Sequence, residues 1–446
     1  MAGLSEDKIA MLKGLVAASP DEVVRSLERA VGNSGGSSGP LAAIGALVEA
    51  EAADRAVRFQ TLAPLVTLFG PRSNDSRPTF PRAALNALWR ALKSDRPEWV
   101  KQAAEACYYI DPEEPHPSIF DALCTRAAVG LKAEAPDYAP VVKIVEADRP
   151  GSSRQLILAL EIAPIVRPPL LVMTEWLQRM TDQRRATARL AYRDAAAVGD
   201  GGGPLMFEML ASHLKHPTQI LRVLSAIMDH PGERYLAESE LAMFGERVIG
   251  IIEGNLERVR TLRPGAGPET ARDAAEAARR AIEEMAEFEQ SIQLSREGPW
   301  GQRLSRLKHG LAAAVEMRLK EIEEAVAFAL PVEKKRYSGR LVSITPKLDD
   351  APDEGAIGWA IGLLTFAEAV RSFATEGGFG GTHAKMVDTV GRRIDQYVDD
   401  VLEQMRLGDL TDDDRAREYL DVAAAMLTLI RDKKAAGLIR RRAAAA

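Results

Sequence analysis

Residues 268–330 read PETARDAAEAARRAIEEMAEFEQSIQLSREGPWGQRLSRLKHGLAAAVEMRLKEIEEAVAFAL and carry the strongest helical period in the chain. On both sides of the segment 296–299, apolar side chains recur every three or four residues. They are Ala271, Ala275, Ala278, Ile282, Met285 and Ile292, and then Leu304, Leu307, Leu311, Val315, Leu319, Ile322, Val326 and Leu330. These stripes predict two long helices that fold back as an antiparallel pair, with the remaining apolar edges covered by later helices.

The composition extends this prediction to the whole chain. Its 446 residues exceed the size at which one core usually stops growing, so we expect two domains or a repeat array. Aromatic residues are 5% of the total, alanine is abundant, and no convincing alternating strand pattern occurs before residue 262. The predicted class is therefore all-α, with irregular α-solenoid-like helical hairpins followed by an antiparallel helical bundle.

Charge and cysteine usage narrow the function classes. The 58 basic and 64 acidic residues give a formal net charge of -6, which lacks the basic excess of a general nucleic-acid binder. Cys107 and Cys124 have no metal-ligand spacing, so we expect two buried free thiols, with a single disulfide as the alternative. Because residues 1–20 are interrupted by charges, they do not predict a signal peptide, and we expect a cytoplasmic protein.

Neither of the two most apolar stretches is predicted to cross a membrane. Residues 156–173 are interrupted by three prolines, a glutamate and an arginine, and residues 356–370 are too short for a bilayer. The interruptions in the first stretch are Glu161, Pro164, Arg167, Pro168 and Pro169.

Glycine and proline clusters set the predicted domain boundaries. Residues 1–39 comprise two helices and a flexible Gly/Ser linker, 40–262 form a helical-repeat-like domain, and 268–446 form a bundle of about five helices that contains the hairpin 268–330. Within the bundle, the β-prone residues 341–344 predict the main non-helical interruption. Thr382 is predicted to cap the next helix, and residues 411–414 to open the last one.

Helix pairs begin near Val57, Glu98 and Tyr138, a spacing of about 40 residues that is typical of helical repeats. Residues 61–69 (TLAPLVTLF), followed by 82–88 (RAALNAL), resemble the paired helices of HEAT or armadillo repeats. The resemblance covers at most residues 57–262, where a generic helical bundle is the alternative. It implies a stacked superhelix whose groove holds another macromolecule, and it brings no catalytic residues.

Two clusters have the residue types of a metal site. Asp349, Asp350 and Asp353 superficially resemble the DDxxD motif of isoprenoid synthases, which would imply a magnesium-dependent enzyme acting on a diphosphate. Because Pro352 opposes a helix there, we favour helix capping for these residues and for Asp412–Asp413–Asp414. The second cluster could bind zinc, although contacts with helix C-terminal carbonyls are the favoured interpretation; it comprises Glu208, His213, His216 and His230.

Two glycine-rich segments and a basic tail could attract anions. Residues 377–383 and 201–203 lack the lysine spacing and preceding strand of a nucleotide loop, so we interpret them as flexible hinges. The C-terminal tail could bind an anionic membrane or nucleic acid, but it has no aromatic residues for base stacking, and a solvated tail is favoured. Its basic residues are Lys433, Lys434, Arg440, Arg441 and Arg442.

The function that these patterns favour is that of a non-enzymatic cytoplasmic scaffold that binds a protein partner. No catalytic motif, cofactor fingerprint or metal-ligand spacing stands out, so no catalytic, cofactor or metal residue is assigned. Two alternatives stay open. They are a magnesium-dependent helical enzyme that uses Asp349, Asp350 and Asp353, and a peripheral membrane or nucleic-acid binder that uses the basic tail.

Overall fold

The computed structural model describes residues 6–33, 40–71, 77–108, 116–228, 232–336, 342–407, 412–431 and 433–445. The described chain is all-α, as the sequence predicts, with one small antiparallel sheet. It separates into two compact units, residues 1–229 and 230–446. The predicted linker residues 34–39, together with His230 and Thr411, lie outside the described residues.

Unit 1 is built from eleven α-helices among its described residues. Its N-terminal helices match the predicted pair closely. Their bounds are α1 Glu6–Ala18, α2 Asp21–Asn33, α3 Pro40–Thr61, α4 Arg82–Asp95, α5 Pro97–Cys107, α6 Ser118–Lys132, α7 Ala139–Asp148, α8 Ser152–Gln178, α9 Asp182–Val198, α10 Gly202–Ser212 and α11 Ile220–Ile227.

Helix α8 is the centre of unit 1, where it packs against α6, α7, α9 and α10. The prolines that interrupt this apolar stretch do not break the helix, because α8 runs unbroken for 27 residues with Pro164, Pro168 and Pro169 inside it. Each proline removes one helical hydrogen bond. Burial of side chains such as Leu156 and Trp176 compensates, which is a case of tertiary packing overriding local propensity.

The buried guanidinium of Arg167 ties α8 to two neighbouring helices. Its Nη1 and Nη2 atoms donate to the backbone carbonyls of Gln60 (2.9 Å) and Thr61 (2.7 Å) at the end of α3. Its Nε donates to the Asp121 carboxylate of α6 at 2.6 Å. The Arg167 side chain is only 3% exposed, so these contacts satisfy a charge that would otherwise be costly to bury.

Two helices are long and apolar enough to cross a membrane by length and composition alone. They are α8 and the helical stretch from Glu354 to Phe373, and their apolar windows are 50% and 44% buried. Buried core helices of soluble proteins can have the same length and apolar composition. The ion pair of Arg167 with Asp121 inside unit 1 favours the core interpretation for α8.

Unit 2 contains eight further α-helices and the two-stranded sheet among its described residues. The strands are β1 Val332–Arg336 and β2 Val342–Pro346, so the β-prone segment does interrupt the helices as predicted. The helices are α12 Glu233–Ala237, α13 Ala242–Arg260, α14 Pro268–Ser291, α15 Pro299–Ala329, α16 Glu354–Val370, α17 Gly380–Leu407, α18 Asp413–Ile430 and α19 Lys433–Ala445.

The two long helices of the opening prediction are α14 and α15, and every residue of both predicted stripes is buried. The two helices contact each other over a short part of their length, whereas each packs extensively against α13 and α16. Helix α13 therefore supplies a partner that sequence analysis placed in the preceding domain. The structure divides the chain before this helix, rather than at the Pro/Gly-rich segment that follows it.

The start of α15 is capped by a buried carboxylate from another helix. Glu233 of α12, 2% exposed, accepts hydrogen bonds from the backbone N–H groups of Ser295 (2.8 Å), Trp300 (2.6 Å) and Gly301 (3.3 Å). A Cβ at Gly298 would lie 2.2 Å from the same carboxylate, so no other residue fits there without movement. This negative charge satisfies free N–H groups at the positive end of a 31-residue helix.

Replacing Arg167 should destabilise unit 1 strongly. We expect Arg167→Met to lower the free energy of unfolding by about 3–5 kcal/mol, because the Asp121 carboxylate and two α3 carbonyls lose their donor. Arg193→Met is the matched control, since the Arg193 side chain is exposed and its pair with Asp194 should contribute below about 1 kcal/mol. Urea unfolding followed by tryptophan fluorescence measures both. Equal losses for the two variants would contradict this assignment.

Replacing Glu233 should loosen the start of α15. Glu233→Gln turns an amide N–H₂ group or a weaker neutral acceptor toward three backbone donors. We therefore expect the free energy of unfolding to fall by about 1–3 kcal/mol. Glu297→Gln, an exposed change in the same turn, should alter stability by less than about 0.5 kcal/mol. Denaturation and amide hydrogen exchange at residues 300–303 report the effect, and unchanged exchange there would refute the capping role.

Candidate functional site

The structure does not bring the predicted acidic cluster together as a metal site. Asp350 pairs with Lys347 at 2.6 Å, which lowers the pKa of the Asp350 carboxyl, while Asp353 accepts from the N–H of Ala356 and caps α16. Asp412 likewise caps α18. Among the described residues, no group of three or more His, Cys, Asp or Glu side chains is arranged to hold a metal ion. The capping prediction is confirmed for Asp353 and Asp412.

The candidate zinc residues also lie in different environments. Glu208 is buried within α10, whereas His216 is exposed beyond its end. The Nε2 atom of His213 lies 3.4 Å from the carbonyl of Pro64, and burial lowers the pKa of this imidazole. The prediction that the histidine contacts a carbonyl of its own helix is therefore wrong for His213, which contacts the segment after α3.

Glycines in both glycine-rich segments make close packing contacts, and the interpretation of these segments as flexible hinges stays a prediction. The amides of Gly377, Gly378 and Phe379 donate to carbonyls in the preceding turn, so they are not available to an anion. A Cβ at Gly202 would lie 2.1 Å from the Ala195 carbonyl oxygen, and one at Gly203 would meet the ring of Tyr192. Close backbone approach explains these glycines.

Thr382 does not cap the helix as predicted. Helix α17 begins two residues earlier, at Gly380, so Thr382 lies inside its first turn. Its hydroxyl donates to the Glu316 carboxylate of α15 at 2.9 Å, and the next residue, His383, is buried with Nε2 2.9 Å from the Ala367 carbonyl. The start of α17 is thus held by two neighbouring helices, and sequence reasoning did not identify either contact.

The basic tail is helical and pairs with acidic side chains of unit 2. It forms α19, whose Ala436 and Ile439 are buried. Arg442 pairs with Asp399 of α17 at 2.7 Å, and Arg440 lies 3.3 Å from Asp421 of α18. These pairs reduce the positive charge that the tail presents to an external anion.

The strongest candidate site is a cleft of about 450 Å³ beside α3 in unit 1, which we call the arginine cleft. Four arginines and two carboxylates line it, together with the half-exposed ring of Phe59. Helices α2 and α3 supply most of the lining, and α4 contributes Leu85. The lining residues are Asp21, Val24, Arg25, Glu28, Arg29, Ala52, Arg55, Ala56, Arg58, Phe59, Gln60, Val66 and Leu85.

Two of the four arginines are structural. Arg55 pairs with Asp21 at 2.6 Å and with Glu51 at 2.7 Å, and its Nη2 donates to carbonyls at the α1–α2 turn, including that of Ser19 at 2.9 Å. Arg58 donates to the Asn86 side chain of α4 at 2.6 Å. Burial lowers the pKa of the Arg58 guanidinium and Asp21 raises it, so this cation depends on a carboxylate that Arg55 also uses.

The other two arginines are not neutralised. Arg25 and Arg29 are one helical turn apart on α2, exposed, and without a hydrogen-bond or ion-pair partner in the described structure. Of the two carboxylates that α2 contributes to the lining, Asp21 is engaged by Arg55 and Arg58, which leaves Glu28 beside two arginines. The cleft therefore presents an excess of positive charge, although the chain as a whole is acidic.

A second concave surface lies on the other side of α3, between it and α5, and we call it the apolar groove. It measures about 370 Å³, and small and apolar side chains dominate its lining. Its one charged residue, Asp54, accepts from Nε1 of Trp89 (3.0 Å) and Nζ of Lys93 (3.1 Å). The lining residues are Ala53, Asp54, Ala56, Val57, Val100, Ala104, Cys107 and Tyr108.

Comparisons with family models, curated proteins and solved structures returned no match for this chain. The candidate site therefore depends on the geometry of unit 1 alone.

Sequence reasoning missed the arginine cleft because its two main helices, α2 and α3, each contain more acidic than basic residues. The spacing of Arg25 and Arg29 by four residues, and of Arg55 and Arg58 by three, does place each pair on one helix face. However, the sequence does not reveal which carboxylates are used by which arginines. Only the packing of α2 against α3 leaves Arg25 and Arg29 unpaired.

The two cysteines should differ sharply in reactivity. Both are free; the predicted burial holds fully for Cys124, while Cys107 is partly exposed at the apolar groove. Burial raises the pKa of the Cys124 thiol to about 12 and raises that of Cys107 by less. Because the thiolate is the reactive form, we expect iodoacetamide to label only Cys107 in the native protein, and to label it faster as the pH rises.

Mass spectrometry of native and urea-unfolded protein measures this labelling. Unfolding should add the second label, and Cys107→Ser should leave the native protein unlabelled. Native labelling of Cys124 would contradict its burial in unit 1.

Proposed function

We propose that this chain is a non-enzymatic, cytoplasmic protein–protein interaction protein, and that the arginine cleft binds an acidic segment of its partner. The single observation that carries the proposal is that Arg25 and Arg29 line a cleft without a carboxylate partner. Guanidinium groups bind carboxylates through paired hydrogen bonds, and such contacts strengthen when water is partly excluded. Acidic side chains of a partner would complete the charge balance of the cleft.

Features of the cleft favour a protein partner over nucleic acid. Glu28, which has no ion-pair partner in the described structure, lies between Arg25 and Arg29 on α2 and would repel a continuous polyphosphate, whereas separated carboxylates of a peptide can avoid it. Among the described residues, Phe59 is the only aromatic residue in the lining, and one ring does not make a series on which successive bases could stack. The acidic net charge of the chain also opposes non-specific nucleic-acid binding.

The helical-repeat hypothesis supports the same class of function. Many helices of unit 1 contact their neighbours in sequence, including α2 with α3, α4 with α5, and α8 with α9, as stacked helical hairpins do. HEAT and armadillo repeats use such stacks to hold other macromolecules. The resemblance of residues 57–262 to these repeats remains a proposal.

The two alternatives lack a comparable observation. Asp350 and Asp353 of the magnesium hypothesis are used in an ion pair and a helix cap, and Arg440 and Arg442 of the tail pair with aspartates. The arginine cleft, by contrast, contains charges that the fold leaves unused. We therefore place the partner at the cleft.

Charge reversal in the cleft tests the proposal. Affinity capture from cytoplasm with the intact chain should retain proteins that are lost with the double variant Arg25→Glu/Arg29→Glu. We expect the affinity for these proteins to fall at least about tenfold, since close charge pairs at interfaces contribute about 1.5 kcal/mol or more. A photo-crosslinking phenylalanine analogue at position 59 then identifies which retained protein occupies the cleft.

The matched control is Arg154→Glu/Arg193→Glu, which makes the same charge change at exposed positions of α8 and α9. It should leave capture unchanged. If the cleft variant captures the same proteins as the intact chain, or if nuclease treatment removes all that is captured, the proposal is wrong.

A further inference from the structure

We infer that the partner segment is an amphipathic acidic helix that lies across α3, with its carboxylates at the arginine cleft and its apolar side chains in the apolar groove. This inference rests on the proposed function and specifies the conformation of the ligand. It is carried by one geometric fact. The cleft and the groove lie on either side of one exposed stripe of α3, and they meet at that stripe. Ala56 lines both.

The exposed surface of α3 is shaped to allow close approach. Ala52, Ala53 and Ala56 are at least partly exposed, and together they form a low ridge between the cleft and the groove. Small side chains on a ridge allow a second helix axis to come within about 8–10 Å of the first. A bulky residue at Ala56 would instead separate the two concave surfaces and prevent one ligand from filling both.

The apolar groove lacks a covering element among the described residues. Tyr108, at one end of it, is 79% exposed, and Cys107 and Ala104 are partly exposed beside it. Exposed tyrosine next to an apolar depression is typical of residues that dominate binding energy at interfaces. The Asp54 carboxylate accepts a hydrogen bond from Trp89 and forms an ion pair with Lys93, which reduces its repulsion of an acidic ligand.

A helix fits these two surfaces better than an extended strand. The groove is bounded by two helices, α3 and α5, and the strand-like contact described in unit 1 is the isolated bridge between Phe69 and Phe80, not an open sheet edge. Helices dock in such grooves through apolar residues at positions i, i+3 or i+4, and i+7. Carboxylates on the adjacent flank of the same helix would then face Arg25 and Arg29 of α2.

Synthetic peptides of about five helical turns test the inference against the full chain. The first probe has leucines on one face and glutamates along one flank. The second has the same composition with the leucines distributed around the helix, the third has lysine for glutamate, and the fourth is an extended Glu/Ser/Gly peptide. Fluorescence anisotropy should show that the first probe binds at least about tenfold more tightly than the others.

Variants in the arginine cleft and in the apolar groove test each half of the proposed contact separately. Arg25→Glu/Arg29→Glu should weaken the first probe about tenfold or more and improve binding of the lysine probe. Ala104→Glu places a charge in the groove and should weaken the first probe similarly, whereas Gln102→Glu, exposed on the same helix, should not. Circular dichroism confirms that each variant is folded.

Alkylation of Cys107 gives a readout without substitution, because this thiol lines the groove and Cys124 is buried. The first probe should slow labelling of Cys107 in proportion to its occupancy, and the extended peptide should not. If the first probe binds without protecting Cys107, the helix does not lie in the groove and the inference is overturned.

The outcomes separate this inference from the proposed function. If the extended peptide binds as tightly as the first probe and both depend on Arg25 and Arg29, the acidic-segment proposal stands and the helical inference fails. If no glutamate-containing peptide depends on these arginines, both fail. A single-stranded RNA oligonucleotide that binds through the same two arginines would also overturn both, because the ligand would then be a nucleic acid.

Discussion

The contact between Arg167 and the end of α3 is the interaction on which unit 1 depends. A guanidinium on the central helix donates to the last carbonyls of α3 and to a carboxylate of α6, so three helices share one buried charge. The Sγ of Cys124 also donates to the Thr61 carbonyl at 3.3 Å. Because helix C-terminal carbonyls are negative, this arrangement fixes the direction of α3 electrostatically as well as by packing.

Fixing the end of α3 fixes both candidate surfaces. Gln60, whose carbonyl Arg167 binds, also lines the arginine cleft, and Ala56 one turn earlier separates the cleft from the apolar groove. At the other end of the cleft, Arg55 holds the α1–α2 turn against α3. Arg25 and Arg29, whose charges remain for a partner, therefore lie on helices that Arg55 and Arg167 already hold in place. This reduces the conformational entropy that is lost when a partner binds.

Sequence periodicity predicted most of the helical architecture, including α14, α15 and the N-terminal pair, because apolar residues at helical spacing must be buried. It failed at α8, where Pro164, Pro168 and Pro169 are tolerated only because the surrounding helices bury the side chains. It also could not assign α13 to the second unit, since a helix with an apolar face can pack in either direction along the chain. Periodicity could not identify the candidate site. Arg25 and Arg29 differ from other arginines only because the nearby carboxylates pair with different side chains or with none, and this pairing is set by the packing of the helices.

The prolines of α8 have a further consequence for how unit 1 folds. Pro164, Pro168 and Pro169 leave the carbonyls of Leu160, Pro164 and Ile165 without their helical donors, so α8 has little stability of its own. Its helical conformation therefore depends on the helices packed against it, chiefly α6 and α10. The central helix of unit 1 owes its shape to the neighbours that it joins rather than to its own sequence.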